Sequence, residues 1–177
     1  MNRLPIVWDA GYSPVFPDSH RFPMAKFRLL KEWVDHHVPR TALVAPTPCP
    51  IDVLMETHDP DYLSGFQSGS LDAKAIREIG LPWSEGLRDR TILALGGTMR
   101  TCELAKTYGL ASHLAGGTHN AHYDRGSTRP ESLDYHIDLQ PFLSAQSNNV
   151  SSFSSRCGNR CIEQASQKPG HTEWPSI

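Results

Sequence analysis

The chain has 177 residues, of which 38% are hydrophobic and 20% are charged, and its formal net charge is -2. This length fits one ordinary domain with a real core, and the composition is typical of a soluble globular protein. The lack of a basic excess argues against direct nucleic-acid binding. No apolar run approaches the roughly 18 residues of a membrane helix.

The cysteines and the N-terminus bear on the cellular setting. Four cysteines are too few and too scattered to indicate a secreted disulfide framework. Pro5 and Asp9 interrupt the N-terminal apolar stretch too early for a signal peptide. We therefore expect a cytoplasmic protein, or a nuclear one if the source is eukaryotic.

Residues 1–126 alternate short apolar runs with amphipathic segments, a pattern that predicts an α/β domain. The first predicted strand covers residues 4–8. A helix is predicted over 23–37, where apolar residues recur at three- and four-residue spacing. Two shorter helices are predicted over 51–57 and 60–66.

A long helix is predicted over residues 84–108. Ser84 is a suitable N-cap and Gly109 a suitable C-cap. Gly96 and Gly97 each weaken such a helix by about 1 kcal/mol relative to alanine, and close packing against a neighbour would explain their presence. One apolar face of the predicted helix contains Leu87, Thr91, Leu95, Met99 and Cys102.

A buried strand is predicted over residues 111–115, and a glycine-rich loop follows it over 116–126. Ligands of open parallel sheets bind at the carboxyl ends of the strands. The loop containing His119 therefore lies where chemistry is expected.

The character of the sequence changes after Gly126. Ten serines fall within residues 127–177, and periodicity is confined to a short patch over 133–143. This composition predicts a poorly ordered, irregular tail rather than the second half of a parallel sheet.

Four segments of the N-terminal part resemble the zinc-dependent histone deacetylase family, most closely its bacterial and class IV-like branch. They occur in the order and spacing of that family and extend over residues 1–126. The segments are Tyr12-Ser13-Pro14 through Phe27, His58-Asp59-Pro60-Asp61-Tyr62-Leu63, Ile79 through Ser84, and the loop with Gly116-Gly117-Thr118-His119-Asn120.

The resemblance implies part of an arginase/deacetylase-type fold, a parallel sheet with helices on both faces. It also implies hydrolysis of an acetylated amine, either acetyl-lysine or an acetylpolyamine. In that family a bound Zn²⁺ lowers the pKa of its water and polarises the amide carbonyl. Two adjacent loop histidines handle the protons, and a later tyrosine stabilises the oxyanion.

The resemblance assigns His119 and Asn120 to the two catalytic histidine positions. An asparagine can hydrogen-bond a water but cannot accept its proton at neutral pH. Loss of a general acid-base group costs on the order of 10²–10⁴-fold in rate. His122 is a weak substitute, since alternate residues of an extended loop point apart.

The metal ligands of the family are harder to match. An Asp-x-His pair and a later aspartate hold the zinc, and Asp134-Tyr135-His136 has the first form. That tripeptide begins only 15 residues after His119, which leaves no room for a βαβ crossover. A second, incomplete set of possible ligands comprises Cys157, Cys161 and His171. Zinc is thus expected for the family, and we expect this chain not to bind it.

The remaining histidines are interpreted as structural. His36 and His37 end a predicted helix, and His113 lies in a predicted strand. His58 supports the fold near the predicted short helices. Beside it, Asp59 and Asp61 fit either the rim of the site or an exposed turn.

Three functional hypotheses follow. We favour a truncated, catalytically incomplete member of the deacetylase family. A second hypothesis is a hydrolase whose site is assembled from this chain alone, which would need Asp134 and His136, or other groups of the chain, to bind zinc. The third hypothesis is a non-catalytic binding protein that associates with a full-length homologue through an unfinished sheet edge.

Overall fold

The fold is built on a parallel sheet, seen in a computed structural model that describes residues 3–17, 20–115, 120–127 and 161–164. Strand β1 (Leu4–Val7) lies between β2 (Thr41–Val44) and β3 (Leu110–His113) and is parallel to both. Helices flank this sheet, so the predicted mixed α/β class is confirmed. Membership of the arginase/deacetylase type stays a prediction.

The helices largely follow the predicted segments. The first begins later than predicted and the second ends earlier, whereas β2 and the fourth helix were not assigned from the sequence. The helices are α1 (Lys26–His37), α2 (Ile51–Met55), α3 (Pro60–Ser68), α4 (Ala73–Ile79) and α5 (Glu85–Tyr108), and a 3₁₀ helix covers Ala10–Tyr12.

Strand β1 is buried on both faces, as expected of a central parallel strand. On one face, Ile6 packs with Val34 of α1 and with Leu114. On the other face, Val7 packs with Leu104 and other residues of α5. The sheet therefore separates α1 from α5.

Helix α5 has the caps that the sequence predicts. The Ser84 hydroxyl accepts a hydrogen bond from the Leu87 amide at 3.1 Å, which satisfies one free donor of the first turn. At the other end Gly109 adopts a φ of 84°, and its amide donates to the Ala105 carbonyl. Both predicted boundaries are confirmed.

The predicted apolar face of α5 is confirmed only in part, since Leu87 and Cys102 are buried. Thr91, Leu95 and Met99 are only partly buried, and Leu95 and Met99 pack toward α2 and α3. Small or polar residues occupy deeper positions on the side toward the sheet, where the helix backbone approaches closely. These deeper positions are Arg90, Ala94, Thr98, Thr101 and Ala105.

The two glycines of α5 lie at close approaches, as predicted from the sequence. A Cβ atom at Gly96 would lie 1.8 Å from the Thr47 carbonyl oxygen. One at Gly97 would lie 2.2 Å from the Tyr12 hydroxyl and 2.5 Å from Nε2 of His113. Only glycine fits these positions without a rearrangement of its neighbours.

A fourth strand, β6 (Cys161–Gln164), pairs antiparallel with the outer edge of β3. It comes from the segment predicted to be an irregular tail, and no strand was predicted there. The other residues of that tail from 128 onward lie outside the described residues. Among the helices within the described ranges, none is both long and apolar enough to cross a bilayer.

Candidate functional site

The carboxyl edge of the parallel sheet brings two loops together. After β1 the chain passes through Trp8 and Asp9 into the 3₁₀ helix that ends at Tyr12. After β3 it continues through Leu114 and Ala115, both buried, toward the glycine-histidine loop. The predicted candidate site therefore follows directly from the topology of the sheet.

Of the two predicted catalytic positions, His119 lies outside the described residues. Asn120 begins the short strand β4 (Asn120–Ala121), which pairs antiparallel with β5 (Gly126–Ser127). The loop thus returns on itself as a small hairpin.

Tyr12 and His113 form a buried pair across the two strand ends. The Tyr12 hydroxyl lies 2.9 Å from Nε2 of His113, and the two rings meet edge to face with centroids 5.4 Å apart. Nδ1 of His113 lies 3.4 Å from the Thr98 hydroxyl, which donates to the Ala94 carbonyl. A neutral histidine with its proton on Nδ1 satisfies this whole chain of hydrogen bonds.

Burial sets the ionisation of this pair. Desolvation, followed by the positive charge of Arg90, lowers the pKa of His113 from 6.5 to about 3. Desolvation, followed by the charge of Asp9, raises the pKa of the Tyr12 hydroxyl well above its usual range. Both side chains are therefore neutral at pH 7, and their hydrogen bond links the loop after β1 to the end of β3.

His58 fastens the hairpin to the helical layer. Its Nδ1 donates to the His122 carbonyl at 2.9 Å, and the next amide, that of Asp59, donates to the Tyr123 carbonyl at 2.8 Å. This contact agrees with the prediction that His58 supports the fold. His122 takes part in this contact through its backbone carbonyl.

Asp59 and Asp61 both lie at the start of α3, where Asp59 is half-buried next to the hairpin and Asp61 is exposed. One carboxylate oxygen of Asp59 accepts from the amides of Asp61 and Tyr62, both at 2.9 Å, and so caps α3. Asp61 is exposed in the first turn of the same helix. These positions favour helix stability.

His36 and His37 end α1, as predicted. Nδ1 of His36 contacts the Glu32 carbonyl at 2.6 Å, and Nδ1 of His37 contacts the Trp33 carbonyl at 2.8 Å. The His37 ring also stacks on Trp33 with centroids 4.7 Å apart. These contacts fit the structural interpretation of both histidines.

The described residues do not assemble a metal centre. Within the described ranges, no group of three or more histidine, cysteine, aspartate or glutamate side chains converges in a way that would hold an ion. Cys161 lies in β6. The other candidate ligands, Asp134, His136, Cys157 and His171, lie outside the described residues. The expectation that this chain does not bind zinc stays a prediction.

The buried polar cluster of Tyr12, Arg90, Thr98 and His113 was not predicted from the sequence. Its one visible signal was Gly97, whose missing side chain makes room for Tyr12 and His113. Arg90 gave no such signal, because a lone arginine in a helix is usually exposed.

The fold and the site define a mixed α/β protein with a candidate site at the carboxyl edge of a parallel sheet. The chain is 43% identical over 126 residues to an uncharacterized protein of Picosynechococcus sp.. The match covers 70% of this chain and 42% of that protein, so the chain spans less than half the length of this relative. No protein-family model matches the chain.

Proposed function

We propose that residues 1–126 are the N-terminal part of a zinc-dependent deacetylase-type amide hydrolase, and that this chain by itself is catalytically incomplete. The observation that carries the proposal is the path of β3, which leads from the buried sheet directly into the loop with His119 and Asn120. Such loops at the carboxyl ends of parallel strands are where α/β enzymes bind ligands.

Two further observations support the proposal. The sheet has helices on both faces, as the deacetylase resemblance implies. The chain also spans less than half the length of its relative, which is consistent with the proposed incompleteness. The proposed substrate class is an acetylated lysine or polyamine.

The proposed incompleteness follows from the donor set. Asn120 occupies the position at which the family uses a histidine to move a proton, and its amide cannot accept one at neutral pH. The described residues offer no converging set of metal ligands. The sequence supports the same proposal, because Asp134 and His136 follow His119 too closely for a βαβ crossover.

We expect the purified chain to contain less than about a tenth of an equivalent of zinc and to release no acetate from an acetyl-lysine peptide or an acetylpolyamine. Elemental analysis and an acetate assay measure these outcomes. The Asn120→His variant should be equally inactive, because it restores one proton carrier and no metal ligand. Stoichiometric zinc together with acetate release by the unaltered chain would contradict the proposed incompleteness.

A chimera tests the proposed family. In this chimera, residues 1–126 carrying Asn120→His replace the stretch of the Picosynechococcus protein that matches this chain. We expect this chimera to bind zinc and release acetate, and the matched chimera with Asn120 retained to be about 10²–10⁴-fold slower. A folded chimera that does neither would count against deacetylase ancestry.

A second candidate function is association with a full-length homologue. In the described sheet, β2 is an edge strand, and its Leu43 is 46% exposed. An exposed apolar edge strand is a template for pairing with another chain.

If that second function holds, we expect this chain to form a complex with the Picosynechococcus relative that light scattering detects during size-exclusion chromatography. Leu43→Lys should weaken the complex about tenfold or more, since charged side chains block edge pairing. Val15→Lys, at a site that is 97% exposed and outside β2, should not. If the chain remains a monomer and does not bind the relative, this function is excluded.

A further inference from the structure

Arg90 is a buried cation on the side of α5 that faces the sheet. Its side chain belongs to a residue that is only 6% exposed. Burial lowers its pKa to about 10, so the guanidinium remains charged at pH 7. A buried charge is costly unless hydrogen bonds or an opposite charge compensate it.

The described neighbours compensate Arg90 incompletely. Its Nε donates to the Tyr12 carbonyl at 3.2 Å, and its guanidinium carbon lies 4.6 Å from the centroid of the Phe27 ring. Nη2 is buried and has no hydrogen-bond partner in the part of the chain that the structure describes. Within the same ranges the ion pairs all involve other residues.

Arg90 also lines a cavity of about 160 Å³, which is enclosed by α2, α3, α4, α5 and the β4–β5 hairpin. The walls of the cavity are mainly apolar and include Leu63, Phe66, Ile79 and Leu87. An apolar cavity of roughly 150 Å³ is large enough to hold a molecule the size of benzene. The cavity thus combines mainly apolar walls with two cations. Arg125 is exposed and pairs with Asp124, whereas Arg90 is buried and incompletely satisfied by the described residues.

We propose that this cavity binds a free short-chain monocarboxylate, with the carboxylate on Nη2 of Arg90 and the hydrocarbon chain against the apolar walls. A carboxylate supplies both the missing acceptor and the missing negative charge, and charge-assisted bonds of this kind are strong. The cavity volume suits an acid of about four to six carbons. This site does not depend on the proposed deacetylase ancestry, because it uses none of the groups assigned to that reaction.

Calorimetric titration of the whole chain with hexanoate and with hexanamide tests the proposal. The two ligands have nearly the same shape and differ in charge. We expect saturable binding of hexanoate, at least about tenfold tighter than that of hexanamide, because only the acid satisfies the buried cation. Equal affinities, or no saturable hexanoate binding up to roughly 10 mM, would overturn the proposal.

A variant pair locates the site. Arg90→Met removes the charge while retaining much of the side-chain length, and it should weaken hexanoate binding about tenfold or more. Arg100→Met alters an exposed arginine of the same helix and should leave the affinity unchanged. Unchanged hexanoate affinity in folded Arg90→Met would refute the assignment. If that variant does not fold, the comparison of acid and amide on the unaltered chain decides the question.

Discussion

Replacement of Gly96 by alanine should lower the free energy of unfolding by about 3 kcal/mol or more. In an ordinary helix interior the same change stabilises by about 1 kcal/mol, so the expected effect has the opposite sign. The reason is the 1.8 Å approach between the new Cβ atom and the Thr47 carbonyl oxygen. Backbone cannot rotate away as a side-chain end can, so α5 or the segment before α2 must shift.

Urea unfolding of Gly96→Ala and Gly109→Ala distinguishes the loss of stability caused by a steric clash from the loss caused by backbone strain. Gly109 has a φ of 84°, and a Cβ atom at this position would have no described neighbour within 4 Å, so its replacement should cost only about 1 kcal/mol. A Gly96→Ala protein as stable as the native chain would contradict the close contact between α5 and residue 47.

Acidification should destabilise the native chain through His113. Its pKa is about 3 in the folded protein and 6.5 when the ring is solvated. Above pH 6.5 the ring is neutral in both states and stability is independent of its titration. As the pH falls from 6.5 toward 3, the unfolded chain takes up a proton that the folded chain excludes, so the free energy of unfolding decreases. Between pH 6.5 and 4.5 this amounts to about 2–3 kcal/mol.

Urea unfolding across that pH range measures the effect in native protein and in His113→Gln. Glutamine does not titrate in this range. On acidification the free energy of unfolding of His113→Gln should therefore fall by about 2–3 kcal/mol less than that of the native chain, although its value at pH 7.5 is lower. Parallel curves for native protein and His113→Gln would show that the buried ring is not what responds to acid.

Local signals in the sequence predicted local structure well. The ends of α5 were predictable because Ser84 and Gly109 act on the adjacent turns. Strand β2 was missed because its four residues carry too little pattern beside Pro46. Helix α4 was missed although Asp72 and Gly80 cap it, since a helix of only seven residues makes about two turns and gives a weak period.

The location of the candidate site was predictable from the sequence, whereas its buried side-chain contacts were not. The loop after β3 could be located because a strand and a glycine pair adjoin in the sequence. The Tyr12–His113 pair joins residues 101 positions apart and depends on the register of β1 with β3. The burial of Arg90 depends likewise on which side of α5 faces the sheet. Long-range packing decides such features, and no local pattern encodes them.

The order of strands in the sheet has a consequence for synthesis. Val7 pairs with Val44 on one side and with His113 on the other. Translation adds about 5–20 residues per second, so β3 is synthesised roughly 5–20 seconds after β1. During that interval the apolar surface of β1 lacks part of its cover, so the nascent chain is most exposed to aggregation and to chaperone capture before β3 is complete.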